Sequence, residues 1–368
     1  MIEKFRNPSL DGKIRIKLSD SKGFWEADKN NVLNAIKVIC RDYQSQGYSL
    51  TLRQLYYQLV SKDYIPNHDK VYQKLSHLKD ECVYGGLVDW SVFEDRGRLP
   101  NVLYSEDGIS EALLRTVDYY RLERQKGQKI HVEVWTEKDA ISSILKRITN
   151  KMGITLVVNK GYTSSTSIYG SYERFSEKIN EGCKVVILYF GDHDPSGLDM
   201  IRDINDRLLY MLSRGTGLNT EVINEWWDEA GFDIYSVADM DGFEDVANLM
   251  NTDNNDKWYD LFEESKKRLY IEQNDLFNIN QIGLTMEQIK EFNPPPNPAK
   301  ITDPRAKGYI KMFGQVSWEV DALTPKIMEG IVEGAIIDII DMDTYNSVIE
   351  EEQNDKNIIK DIVDNLNK

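Results

Sequence analysis

Between residues 129 and 215 the spacing of apolar residues changes period repeatedly, and few folds can satisfy that pattern. KIHVEVWTE alternates every second residue, as a strand does. DAISSILKRITNKM repeats at three and four, as a helix does. ITLVVN is extended, SIYGSYERFSEKINEG helical, KVVILYF an unbroken apolar strand and GLDMIRDINDRLLYML helical again. Strand and helix in strict alternation imply a parallel sheet with helices packed on its faces, since parallel neighbours need a crossover connection.

The N-terminal third follows a different pattern. NNVLNAIKVICRDYQSQGY (30–48) carries apolar residues at helical spacing and closes at Gly47. In SLTLRQLYYQLVSKDY (49–64), Ser49 or Thr51 can cap a second helix, and Leu52, Leu55, Tyr56, Leu59 and Val60 share one face. A third helix fits HDKVYQKLSHLKDECVYGG, stopped by Gly85 and Gly86. LVDWSVFEDRGR then alternates like short strands. Three helices followed by a β-ribbon is the element order of a winged-helix module. Further on, FDIYSVA reads as an added strand, FNPPPNPAKITDP as a stiff connector, and the tail from Pro325 as two acidic helices.

The chain of 368 residues is long enough for two domains with real cores. Its net charge of −16 argues against nucleic acid until its distribution is considered. Residues 1–100 hold 16 Lys and Arg against 13 Asp and Glu, whereas the remaining 268 hold 29 against 48. Local clustering matters more than the sum for contact with phosphate. No apolar run approaches membrane-spanning length, and MIEKFRNPSL lacks the apolar core of a signal peptide. Three scattered cysteines (Cys40, Cys82, Cys183) have no zinc spacing and read as reduced thiols. A cytoplasmic protein with no membrane partner is expected.

Parallel α/β sheets place their chemistry at the carboxyl ends of strands. Glu137 ends HVEVWTE, and Asp192 and Asp194 follow VVILYF in GDHDPSG. If those strands are neighbours, three carboxylates converge on one edge, and they cannot stay charged and close without a cation. Oxygen donors favour Mg²⁺ or Mn²⁺ over zinc. A spacing of two puts both aspartates on one side of an extended backbone and sends His193 the other way. Asp-x-Asp-Pro-x-Gly is also good turn chemistry, so a solvated acidic loop is the competing reading.

This combination resembles the Toprim domain of topoisomerases, primases and related nucleases over about residues 129–215. The resemblance implies that Glu137, Asp192 and Asp194 hold catalytic Mg²⁺. A second landmark is TLRQLYYQL. Tyr56 falls on the apolar stripe, while Tyr57 lies outside it and one turn from Arg53. A guanidinium beside a phenol favours the phenolate and can also hold a phosphate oxygen, which suits a nucleophile attacking a phosphodiester. Thr-Leu-Arg-x-Leu-Tyr-Tyr ahead of a Toprim domain is similar to the A subunit of topoisomerase VI and the meiotic break-forming transesterases related to it. That resemblance implies that Tyr57 attacks double-stranded DNA and becomes linked to the 5′ phosphate, with Arg53 as its partner. It also implies a homodimer in which the Tyr of one subunit works with the metal site of the other.

VDWSVFEDRGR, with Asp95, Arg96 and Arg98, resembles the segment after the tyrosine helices in that family. Arg96, Arg98, Lys70 and Lys74 are the candidate DNA contacts. LTMEQIKEFNPPPNPAK and SWEVDALTP resemble compact Mini-A homologues, while His193 between the aspartates departs from topoisomerase VI proper. No Gly-rich nucleotide loop is present, so ATP-driven strand passage would need a separate ATPase B-type subunit.

The expected fold is therefore α/β: an N-terminal arm (1–28), a winged-helix domain (29–104) and a helical connector (105–128), then a Toprim domain with insertions (129–324) and C-terminal helices (325–368). A Toprim nuclease that activates water, and a DNA-binding scaffold with a structural metal, are the alternative functions.

Overall fold

The computed structural model of the chain describes residues 12–17, 24–94, 105, 108–215, 218–233, 237, 240, 255–299 and 305–366. It opens with an antiparallel hairpin of β1 (Lys13–Lys17) and β2 (Phe24–Asp28). Three helices follow: α1 (Lys29–Ser45), α2 (Leu52–Ser61) and α3 (Asp69–Tyr84). Thr51, rather than Ser49, caps α2, through a capping box in which Thr51 and Gln54 satisfy each other's backbone amides. Ile14, Leu33, Ile36, Leu55, Leu59 and Leu75 form the shared core of hairpin and helices.

The ribbon expected after α3 does not form among the described residues. Asp89 Oδ1 accepts from the backbone amide (2.8 Å) and hydroxyl (2.6 Å) of Ser91, and this bends Trp90–Val92 into a 3₁₀ turn. Only Phe93 keeps an extended contact, a bridge to Leu50. Residues 95–104, with Arg96 and Arg98, lie outside the described residues. The hairpin lies instead at the N-terminus, within the span expected to be an arm. Beyond 105 comes α4 (Ile109–Tyr119).

The sheet is parallel throughout, in the order β4–β3–β5–β6, with β3 Ile130–Thr136, β4 Thr155–Val158, β5 Lys184–Phe190 and β6 Phe277–Gly283. Helices α5 (Ser142–Met152), α6 (Ser165–Asn180) and α7 (Pro195–Gly215) make the crossovers, as the alternating pattern requires. The alternation of β5 divides the core. Val186, Leu188 and Phe190 face one helical layer, and Val185, Ile187 and Tyr189 face the other.

The fourth strand, FNINQIG, was not anticipated. Its asparagines disguise an edge strand that needs apolar residues at only a few positions. Most of the expected strand FDIYSVA lies outside the described residues, and Val237 within it is helical. After α8 (Thr220–Ala230) and α9 (Asn255–Gln273), and beyond β6, come α10 (Met286–Phe292) and α11 (Ala306–Phe313). The proline connector contributes β7 (Asn297–Pro298), which pairs with β8 (Val316–Ser317).

The tail forms the two expected helices, α12 (Pro325–Ile337) and α13 (Met342–Leu366), and one face of α12 packs into the core. Its Met328, Val332 and Ile336 are fully buried against β5 and α5. Met328→Ala should therefore cost about 2–5 kcal/mol of stability, the usual loss for truncating a buried Met. Urea unfolding measures it. A loss near zero would place α12 outside the core.

Candidate functional site

The site is assembled by a strap, residues 318–323, that runs past the carboxyl ends of β3 and β5. Trp318 pairs its backbone with His193 in both directions, at 3.0 and 3.1 Å. The Val320 amide donates to Asp192 Oδ1 at 2.9 Å. A 3₁₀ turn over Val320–Ala322 then meets α2, where Gln58 donates to the carbonyls of Ala322 and Leu323. The strap thus ties the N-terminal helices to the sheet and places Glu319 and Asp321 between them.

Lys138, the residue after Glu137, occupies the middle of this arrangement. Its ammonium lies 2.8 Å from Asp192 Oδ2, 2.9 Å from Glu319 Oε2 and 2.7 Å from Asp321 Oδ2. Its pKa is well above the ordinary lysine value because the pull of these carboxylates outweighs burial. Arg53 joins from α2, with Nη2 at 2.6 Å from Glu319 Oε2 and Nε at 3.5 Å from Asp321 Oδ2. Asn297 of β7 donates to Glu319 Oε1 at 3.1 Å.

Tyr57 and Arg53 line one cavity of about 580 Å³ together with Asp192, Asp194, Glu319 and Lys70. A single chain brings the tyrosine and the aspartates together, whereas the family resemblance implied that they come from different subunits. Tyr57 is nearly buried, at 8% exposure, not outside the packed face. Arg53 favours the phenolate as expected but is outweighed: burial, and then the neighbouring Glu319 carboxylate, raise the phenol well above its ordinary pKa, and Arg53 and Lys138 oppose this only in part. Tyr56 is buried as expected and its hydroxyl is doubly bonded: it donates to Asn67 Oδ1 at 2.9 Å and accepts from the His68 amide at 2.7 Å. Lys74 is exposed on α3 and is not among the residues lining this cavity.

The three acids expected as a metal triad are neighbours but are not arranged as one. Glu137 accepts from the Tyr189 hydroxyl at 2.9 Å and from the Asp192 amide at 3.1 Å, behind the cavity wall. Asp194 Oδ1 caps α7 through the Gly197 amide at 2.6 Å. Gly191 and Gly197 permit this close fit: a Cβ on Gly191 would strike the Glu137 carboxylate, and one on Gly197 would strike the Asp192 carbonyl. His193 points away, stacked among Tyr309, Phe313 and Trp318. Among the described residues no three Asp, Glu, His or Cys side chains converge with metal-ligand geometry. The ammonium of Lys138 lies among Asp192, Glu319 and Asp321 instead.

The donor chemistry nonetheless suits a hard cation. Three carboxylates (Asp192, Glu319, Asp321) share Lys138, and Glu319 and Asp321 also share Arg53. Asp192 is driven far above the carboxylate range by burial; Lys138 opposes this, but repulsion from Glu137, Glu319 and Asp321 adds to the rise. Asp321 Oδ1 is buried without a hydrogen-bond partner. Clustered carboxylate oxygens of this kind are the donors a divalent ion takes.

Lys138, Glu319, Asp321, Asn67 and Asn297 were missed by the sequence reading. One signal was available. In SWEVDAL two acids sit two apart between apolar residues, the same spacing as Asp192 and Asp194. Compared with known proteins, the chain matches no family model, no curated protein and no solved structure.

Lys138→Met should destabilise the protein by about 3–5 kcal/mol at pH 7, because it leaves buried carboxylates uncompensated. The deficit should shrink as pH falls and those carboxylates protonate. Urea unfolding at pH 7 and pH 5 measures both. An unchanged midpoint at pH 7 would contradict the role of Lys138 as the internal counter-ion.

Proposed function

We propose that this chain is a DNA strand transesterase of the topoisomerase VI A-subunit kind, with a winged-helix module carrying Tyr57 and a Toprim-like sheet carrying the acids. The observation that carries the reading is the shared cavity: Tyr57 and Arg53 from α2 and Asp192 and Asp194 from the end of β5 line the same space. In no described helix is there a stretch long and apolar enough to cross a membrane.

In this reading a phosphodiester enters between Arg53 and Lys70, and Arg53 holds a non-bridging oxygen. The Tyr57 oxygen forms a bond to phosphorus, the 3′ oxygen leaves as a hydroxyl, and the DNA 5′ phosphate stays on the protein. The phosphoester is kept, so the reverse step reseals the strand. A divalent cation, Mg²⁺ or Mn²⁺, would neutralise charge on the phosphate; Asp192 and Asp194, which line the cavity, would hold it, with Glu137 behind them bonded to Tyr189 and to the Asp192 amide. A double-strand break needs two such reactions, and a C₂ pair of chains would supply two Tyr57 residues.

Tyr57→Phe removes only the attacking oxygen. Incubated with supercoiled DNA and Mg²⁺ or Mn²⁺ and then denatured, the wild type should retain protein on 5′ ends, and Tyr57→Phe should retain none and cut nothing. Undiminished cutting by the variant, with free ends, would point to a water-activating nuclease. Absence of cutting by the wild type at any metal concentration would leave a DNA-binding scaffold. Light scattering with and without duplex DNA should report a dimer at micromolar concentration; a monomer in both conditions would contradict the paired arrangement.

A further inference from the structure

We propose that Glu319 is a positioning residue that holds Tyr57 and Arg53 as one unit, an inference that rests on the transesterase reading. Its carboxylate is the point where four segments meet. Arg53 of α2 approaches Oε2 at 2.6 Å, and Lys138, which follows β3, approaches the same oxygen at 2.9 Å. The Asn297 amide of β7 donates to Oε1 at 3.1 Å. Tyr57 lines the same cavity as Glu319, and the Arg53 guanidinium that Glu319 holds lies 5.8 Å from the centre of the Tyr57 ring.

A relay extends from Asn297 to the second tyrosine. The Asn67 amide donates to Asn297 Oδ1, and Asn67 Oδ1 accepts from the Tyr56 hydroxyl. Both tyrosines of the Tyr-Tyr pair are therefore linked to Glu319, Tyr57 through the guanidinium of Arg53 beside its ring and Tyr56 through two amides. Glu319 itself sits on the strap that pairs with His193 and Asp192, so it links the nucleophile to the carboxylate edge of the sheet.

Positioning is the role its chemistry permits. Flanked by Lys138 and Arg53, its carboxylate is pulled down to about 2 and stays ionised through neutral pH. A carboxylate so held is a weak proton acceptor and a strong anchor. Side chains as long as Arg and Tyr lose reactivity steeply when misplaced, and a displacement of about 1 Å costs about 100-fold in rate.

Two variants test this. Glu319→Gln keeps the length and removes the charge that anchors the two cations. Glu319→Asp keeps the charge and falls one methylene short. With a DNA duplex and Mg²⁺, each should slow single-turnover formation of the 5′ protein–DNA adduct by about 100-fold, while the DNA concentration for half saturation changes less than about threefold.

A readout independent of activity is the Cζ resonance of Tyr57 in protein labelled at tyrosine. It is assigned among the 20 tyrosines by its loss in Tyr57→Phe. It should move in both Glu319 variants with no DNA present. Adduct formation by the wild type with both variants unchanged in rate would overturn the positioning role and leave the transesterase reading standing. A moved resonance with no adduct in the wild type would support the positioning role while the transesterase reading fails. If Glu319→Gln does not fold, Glu319→Asp alone decides: a wild-type rate and an unmoved resonance would overturn the proposal.

Discussion

One buried ammonium holds three carboxylates that belong to two distant stretches of chain. Lys138 extends from the end of β3 to Asp192 at the end of β5 and to Glu319 and Asp321 on the strap, all within 2.9 Å. Burying four charges is costly, and a set of packed apolar side chains would stabilise the fold at least as well. What the ionic cluster supplies is geometry. An apolar contact tolerates sliding, whereas an ammonium shared by three acids fixes the strap against the sheet edge at one register.

Arg53 extends that cluster into the N-terminal helices. Its pairing with Glu319 and Asp321 is the polar counterpart of the apolar seam in which Ala322 joins the helical core. Tyr57 gains its place from this joint: its helix is set by Leu55 and Leu59 packing inward, and its ring lies beside the guanidinium that Glu319 holds. The cavity beside Asp192 and Asp194 is the space left where the two cores meet, so its walls are polar while both cores behind it are apolar.

Much of this was readable in the sequence. The first three strands of the sheet with helices α5, α6 and α7, the Asp-x-Asp turn and all three N-terminal helices follow from periodicity and capping, which are local. Tyr56 on the apolar face followed from its place on the helical wheel. What could not be read was set by contacts far apart in sequence. FNINQIG becomes a strand only because β5 offers a free edge, and LVDWSVF loses its extended pattern to the Asp89–Ser91 bond. The environment of Tyr57 was misjudged for the same reason. Arg53 is four residues away and visible, whereas the burial of the phenol and the Glu319 carboxylate, 266 residues from Arg53, come from the tertiary fold. A wheel drawn for one helix cannot show which distant carboxylate has claimed a neighbouring guanidinium. Burial of α12 likewise depends on the far face of the sheet.

The central claim is that the oxygen of Tyr57 forms the bond to DNA, and mass spectrometry of the adduct tests it most directly. After incubation with duplex DNA and Mg²⁺, nuclease digestion leaves a short nucleotide on the protein, and trypsin releases residues 54–62, QLYYQLVSK, between Arg53 and Lys62. That peptide holds both tyrosines, and fragmentation between them separates the two assignments. The account predicts the nucleotide mass on Tyr57 with Tyr56 unmodified. A nucleotide on Tyr56, or cleaved DNA with this peptide wholly unmodified, would contradict it.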